Sequence, residues 1–177
     1  MAINVLDGKF SGFISEVPAI VVQERRDFRS IYETHRHRIY NLAFYATDNE
    51  MTAEEICGRV FCRAFASRRE ASADAIDAEL ISVLRESSPI GNLTLNNNQV
   101  FQTRASAREN VKRVALERAV VGLPLTEKLV FLLHDVERYS HERIARTLGI
   151  TESESVFGLH QARIAIRQAV AASRLSS

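Results

Sequence analysis

Arg143, Arg146, Arg163 and Arg167 fall within one stretch, Val136 to Arg167, together with His160 and Gln161. A guanidinium is a permanent cation whose fork of donors matches phosphate oxygens, and a glutamine amide pairs with the edge of an adenine. The chemistry on offer is contact with phosphates and base edges, the alternative being that these side chains only line the solvated faces of helices.

Other groupings of reactive side chains carry less. His35 and His37 stand two apart, so on a helix they point about 200° from one another and share no ligand. Glu54 and Glu55 are adjacent and diverge in the same way. With no nucleophile, glycine-rich phosphate loop or metal motif beside them, they read as first-turn glutamates favoured by the helix dipole. Cys57 and Cys62 are five apart, about 140° around a helix, and read as two buried thiols in a reducing compartment. The sequence therefore indicates no catalytic residue, no metal ligand set and no cofactor, and the chain is expected not to be an enzyme.

The elements that must position the arginines follow from local signals. Ser140 opens a helix on which Ile144 and Leu148 share a face, and Ala145 leaves room for a crossing helix. Gly149 breaks it. Thr151 opens the next helix, with Glu154 as partner in a capping box. Helix, glycine turn, helix is the plan of a helix-turn-helix. Upstream, an amphipathic helix from near Ser106 carries Val111, Val114, Ala115 and Val121 and stops at Gly122. Pro124 and Thr126 then open another that runs through His134.

In the first half, Phe28, Ile31, Tyr32, Ile39, Leu42 and Ala43 form a helical stripe over 25–45, with Arg29, Glu33, Arg36 and Arg38 on the other face. Thr52 is placed as N-cap of a second helix whose buried side is Ile56, Val60, Phe61, Ala64 and Phe65. A third, from about Ala73 to Glu86, carries Ile76, Leu80, Val83 and Leu84. The segment after Gly91 has some strand flavour, but its run Asn96-Asn97-Asn98 cannot build a core and reads as a linker.

The expected organisation is all-α: an N-terminal extension (1–24), a helical domain (25–90), a flexible linker (91–105), a helix-turn-helix domain (106–172) and a tail (173–177). Apolar residues at 46% and charged ones at 25% are ordinary for a globular protein, and tryptophan is absent. Residues 1–100 hold 11 basic and 14 acidic side chains and residues 101–177 hold 12 and 8, so the second half is the one suited to meet phosphates. Asp7 and Glu16 interrupt any secretory signal, and the apolar run Val17 to Val22 is too short to span a bilayer. A cytoplasmic protein without membrane insertion is expected.

Two stretches resemble one family. Leu123-Pro124, the apolar helix after it, Ser140, Ile144-Ala145, Leu148-Gly149-Ile150 and Arg163 resemble the fourth domain of bacterial sigma factors of the extracytoplasmic-function type. Ala53-Glu54-Glu55, Val60-Phe61 and Arg63-Ala64-Phe65 resemble the second domain of the same family. The resemblance implies binding of core RNA polymerase and promoter DNA, the second domain docking on polymerase and opening the −10 element and the fourth reading the −35 element. It implies DNA contact through Arg143, Arg146, Glu154, Ser155, Phe157, Gly158, His160, Gln161, Arg163 and Arg167, and polymerase contact through Glu54, Glu55, Arg59, Phe61 and Arg63.

The sequence departs from the family where charge matters. Val156 and Gly158 stand where the family has Lys and Arg, and Glu154 brings negative charge toward phosphates. Gly58-Arg59 replaces a Gln-Glu pair, and 78–92 offers Arg85 but no aromatic with which to grip a melted strand. The alternative reading is a degenerate sigma-like protein that acts by protein contact, titrating an anti-sigma factor or occupying a regulator without opening a promoter.

Overall fold

The computed structural model describes residues 19–66, 72–95 and 113–175, with side chains over 28–66, 72–95 and 113–173. All the regular structure among them is helical, as an all-α chain requires. The stretches 1–18, 67–71, 96–112 and 176–177 lie outside, and with them most of the expected extension, the asparagine run and the helix start near Ser106.

Three helices make the first unit: α1 (Ala19–Thr47), α2 (Glu50–Ala66) and α3 (Ala73–Arg85). α1 runs from Ala19, earlier than the apolar stripe over 25–45 alone indicated. Ile39, Leu42 and Ala43 of α1 meet Ala53, Ile56, Val60, Phe61 and Ala64 of α2, and α3 closes the core with Ile76, Leu80, Ile81, Val83 and Leu84. Phe61 belongs to this core, 4.9 Å from the ring of Tyr32 and 5.7 Å from that of Phe65.

The α1–α2 turn corrects the expected cap. Asp48 takes a left-handed φ of 53°, and the side-chain oxygen of Asn49, not Thr52, accepts the amide of Thr52 at 2.9 Å. Asparagine caps as well as threonine does, and Asn49 comes first once the chain has turned at Asp48. The thiols need correction as well: Cys57 is half-buried and Cys62 exposed. Cys62 lies off the stripe formed by Ile56, Val60 and Ala64.

The second unit is built from α4 (Arg113–Val121), α5 (Leu125–Phe131), α6 (His141–Leu148) and α7 (Glu152–Leu175). α5 widens over Leu132–Val136 into a π-helical turn, which ends with the amide of Glu137 on the carbonyl of Leu132 at 3.0 Å and with Arg138 at φ 62°. Among the described residues no helix is long and apolar enough to cross a membrane.

The two units are packed together. Arg85, at the end of α3, gives its guanidinium to the carbonyl of Leu148 at 2.5 Å, capping the negative end of α6. The first residues of the expected linker lie on the second unit. The amide of Gly91 donates to the Thr126 hydroxyl at 3.2 Å, and the amides of Thr94 and Leu95 both donate to one oxygen of Glu127, at 2.5 and 2.8 Å. Glu127 is fully buried, so its carboxylate draws on the amides of a passing chain instead of water.

The cap assignment has a direct consequence. Asn49→Ala is expected to lower stability by about 1 kcal/mol in urea unfolding, and Thr52→Ala by less than about 0.5 kcal/mol. The reverse order would restore Thr52 as the cap.

Candidate nucleic-acid interface

The helix-turn-helix forms as its local signals require. Ser140 caps α6 by accepting the amide of Arg143 at 3.2 Å, and Gly149 ends the helix in the left-handed region at φ 69°, where glycine carries no steric cost. A Cβ there would stand 3.1 Å from the Arg85 guanidinium. Thr151 and Glu154 form the reciprocal capping box: the Glu154 amide donates to the Thr151 hydroxyl at 3.1 Å, and the Thr151 amide donates to the Glu154 carboxylate at 2.7 Å. Those bonds hold the Glu154 carboxyl below its ordinary pKa, so it stays ionised at the mouth of α7. Ile144 and Leu148 seat α6, and Leu159, Ala162, Ile166 and Val170 seat α7.

The residues singled out for DNA contact divide into three groups. Ser155 and Gln161 are buried, and Gly158 is buried under Leu93, whose Cδ2 would lie 2.8 Å from a Cβ at that position. The glycine that stands in place of a basic residue is thus the seat of the linker. Arg143 and Arg163 are committed to carboxylates. Arg163 forms a two-pronged pair with Asp135 at 2.6 and 3.0 Å, which raises its own pKa and lowers that of Asp135, and Arg143 reaches Asp74 at 2.7 Å and Asp77 at 3.1 Å. The third group faces solvent: Arg146, Glu154, Phe157, His160 and Arg167. Arg146 is 3.8 Å from Glu142, with both side chains about 70% exposed, so that pair holds it weakly. A shallow groove on α7 is lined by Glu152, Ser153, Val156, Phe157 and His160.

A feature with no counterpart in the sequence reading stands behind α7. The rings of His134 and His141 stack with centroids 4.5 Å apart. His134 Nδ1 lies 2.9 Å from Asp135, and His141 Nδ1 lies 2.9 Å from the hydroxyl of buried Ser155. This chain of contacts joins the π-helical turn, the start of α6 and the first turn of α7. Burial lowers the pKa of His141 first, and the neighbouring His134 and Arg163 lower it further, against the opposing pull of Glu152 and Asp135.

In the first unit Glu54 and Glu55 are exposed on α2. Arg59 and Arg63 both pair with Glu86, Arg63 at 2.6 Å, and the pairing holds the Glu86 carboxyl below its ordinary pKa. Phe61 is withdrawn into the core. Among the described residues, Glu54 and Glu55 are thus the members of the expected polymerase-contact set that are exposed and in no ion pair. Among the described residues no group of three or more His, Cys, Asp or Glu side chains is placed to hold a metal ion.

The most connected polar group was missed as a site. Asp77 of α3 is 3% exposed and is met by Arg38 of α1 at 2.5 Å, the hydroxyl of Tyr139 at 2.7 Å and Arg143 of α6 at 3.1 Å. Arg38 also donates to the Tyr139 oxygen at 2.6 Å, and the Arg143 guanidinium lies 3.7 Å from the centre of the Tyr139 ring. Burial and the adjoining Asp77 raise the pKa of the Tyr139 phenol, so it stays a donor. The signal was in the sequence: Asp77 keeps step with Leu80, Ile81 and Leu84, a charge on an apolar face. Arg38, expected on the solvated face, turns inward to meet it.

Residues 113–166, from α4 through most of α7, match the family model for Sigma-70, region 4. No curated protein matches the chain.

The histidine stack makes stability depend on pH. The folded pKa of His141 lies below its ordinary 6.5, so below about that pH the unfolded chain binds more protons than the folded one and stability falls. His35, lowered by burial and by Arg38, acts in the same direction. The urea midpoint is expected to drop as pH falls from about 7.5 to 5.5, and to drop less in His141→Gln. An identical drop in both proteins would remove the stack from the account.

Proposed function

We propose that this chain is a sigma-factor-like transcription initiation protein that binds core RNA polymerase and brings it to promoter DNA through α6 and α7. The observation that carries the reading is a fully formed helix-turn-helix, capped at both helices, lying within the segment that matches Sigma-70, region 4. In this reading α7 lies in the major groove and reads the −35 element with its early exposed residues, and α6 braces against the backbone. The first unit docks on polymerase through the face carrying Glu54 and Glu55, in the manner of the extracytoplasmic-function type. The polymerase supplies the chemistry.

The charges set the strength of the DNA contact. With Arg143 and Arg163 engaged by carboxylates, Arg146 and Arg167 are the arginines of the original four that remain for phosphates. A protein neutralising about two phosphates shows a log–log salt slope near −2, far below that of a strong binder. Specific placement then depends on polymerase holding the second unit near its site, since a tethered contact acts at high effective concentration.

A second reading keeps the fold and drops promoter opening. It is favoured by the surface of α7, where Val156 and Phe157 are exposed beside Glu152 and Glu154. An apolar patch rimmed by carboxylates suits a protein partner, such as an anti-sigma factor, better than a phosphate backbone.

Titration into core RNA polymerase separates the two. Co-elution together with discrete transcripts from genomic fragments is the expected result, and co-elution without transcripts would establish the protein-contact reading instead. Within the first reading, Arg167→Ala is expected to weaken duplex binding and to reduce the magnitude of the salt slope by about 1. An unchanged slope would show that Arg167 meets no phosphate.

A further inference from the structure

Gly58 is the middle residue of α2. A glycine inside a helix makes folding about fivefold less favourable than an alanine there, through backbone entropy. Such a cost is commonly met by a packing need, as at Gly158, where Leu93 occupies the space a Cβ would take. At Gly58 the described residues supply no such need, because a Cβ would find nothing within 4 Å.

Gly58 borders a hollow of about 390 Å³ between α1 and α2, walled by Tyr32, Arg36 and Tyr40 on one side and by Glu54 and Cys57 on the other. A volume of that order holds an organic molecule of one or two rings.

We propose that this hollow is a binding site for a small aromatic carboxylate, its ring set against Tyr32 and Tyr40 and its anion taken by Arg36. The site is built from α1 and α2 alone and does not depend on the transcription reading of α6 and α7.

The aromatic part is assigned by the rings. Tyr32 is fixed by an edge contact with Phe61, centroids 4.9 Å apart, and is still 38% exposed. The Arg36 guanidinium stands 6.0 Å from the centre of the same ring. A ring face left in water beside a cation suits a ligand that is both flat and negative.

The anion is assigned by an unmet donor. Arg36 Nε is buried and has no hydrogen-bond partner among the described residues, since the Glu33 carboxylate, 3.0 Å away, is out of line for one. That exposed pair is weakly held, and a carboxylate arriving in fork geometry displaces it. His37, on the same wall, offers a further donor. A phosphate suits the hollow less well, because it brings nearly two negative charges toward one guanidinium with Glu54 on the opposite wall.

Cys57 serves as wall and not as nucleophile. Its thiol donates to the Arg36 carbonyl at 3.9 Å, and burial pushes its pKa up, so it stays protonated and the ligand binds without a covalent bond.

The test uses the full chain, with naphthoate as probe and its neutral counterpart naphthamide as control, followed by nitrogen–proton correlation NMR. The expected result is saturable shifts centred on the amides of 32–40 and 54–58, with a Kd of about 1 mM or lower for a ligand of this size. Naphthamide is expected to bind about tenfold more weakly, for want of the charge-assisted bond. Gly58→Leu fills the hollow and is expected to abolish binding while folding at least as well as wild type, since its Cβ enters open space. Arg36→Gln, which serves should that variant fail to fold, is expected to weaken naphthoate and leave naphthamide unchanged.

Undiminished binding by folded Gly58→Leu, or shifts centred elsewhere on the chain, would mean adventitious binding of the probe only and would overturn the site. Absence of saturable shifts at about ten times the expected Kd would overturn it as well. Equal affinity for naphthoate and naphthamide in wild type, or loss of both in folded Arg36→Gln, would overturn the assignment of the anion to Arg36.

Discussion

A buried carboxylate with three donors on it sets the terms for this structure. Asp77 is almost entirely removed from water, a position that a lone ionised group could not hold. Its partners come from α1, from the turn after the π-helical segment and from α6, so satisfying it requires both helical units to be in place at once. The widened turn over Leu132–Val136 delivers Tyr139 to that carboxylate, and Ser140, one residue on, starts the helix-turn-helix. The orientation of the recognition elements thus follows from a charge in the other half of the chain.

Much of the local architecture was legible. Ser140, Gly149 and the Thr151–Glu154 box act within four residues of themselves, and each does in the structure what its residue type dictates. The apolar stripes of α2 and α3 went to the core as spaced, and Phe61 went with them. The expectation of Thr52 as cap failed because Asn49 is an equally competent cap that comes first, and the left-handed Asp48, which brings it into place, has no local signature as strong as glycine.

The site was less legible, for a physical reason. Whether an arginine is available depends on the carboxylate opposite, and Asp74, Asp77 and Asp135 are distant in sequence from Arg143 or Arg163. Gly158 read as a lost basic contact, yet it is small because Leu93 lies on it. Ser155 and Gln161 sit on the inner face of α7, one beneath the histidine stack. Periodicity separates faces of a helix, but which face another unit covers is settled only by long-range packing.

These observations give the chain a consistent physical character: a helix-turn-helix of whose basic side chains Arg143 and Arg163 are paired with carboxylates, held to a first unit by a shared apolar cluster and by the ions around Asp77. The double-mutant cycle between Asp77 and Arg143, with Asp77→Asn and Arg143→Gln followed by urea unfolding of the full chain, tests that grip most directly. A coupling energy of about 1 kcal/mol or more is predicted for this partly buried pair in one shared network. Strict additivity would mean that the two units do not meet at Asp77, and would contradict the account.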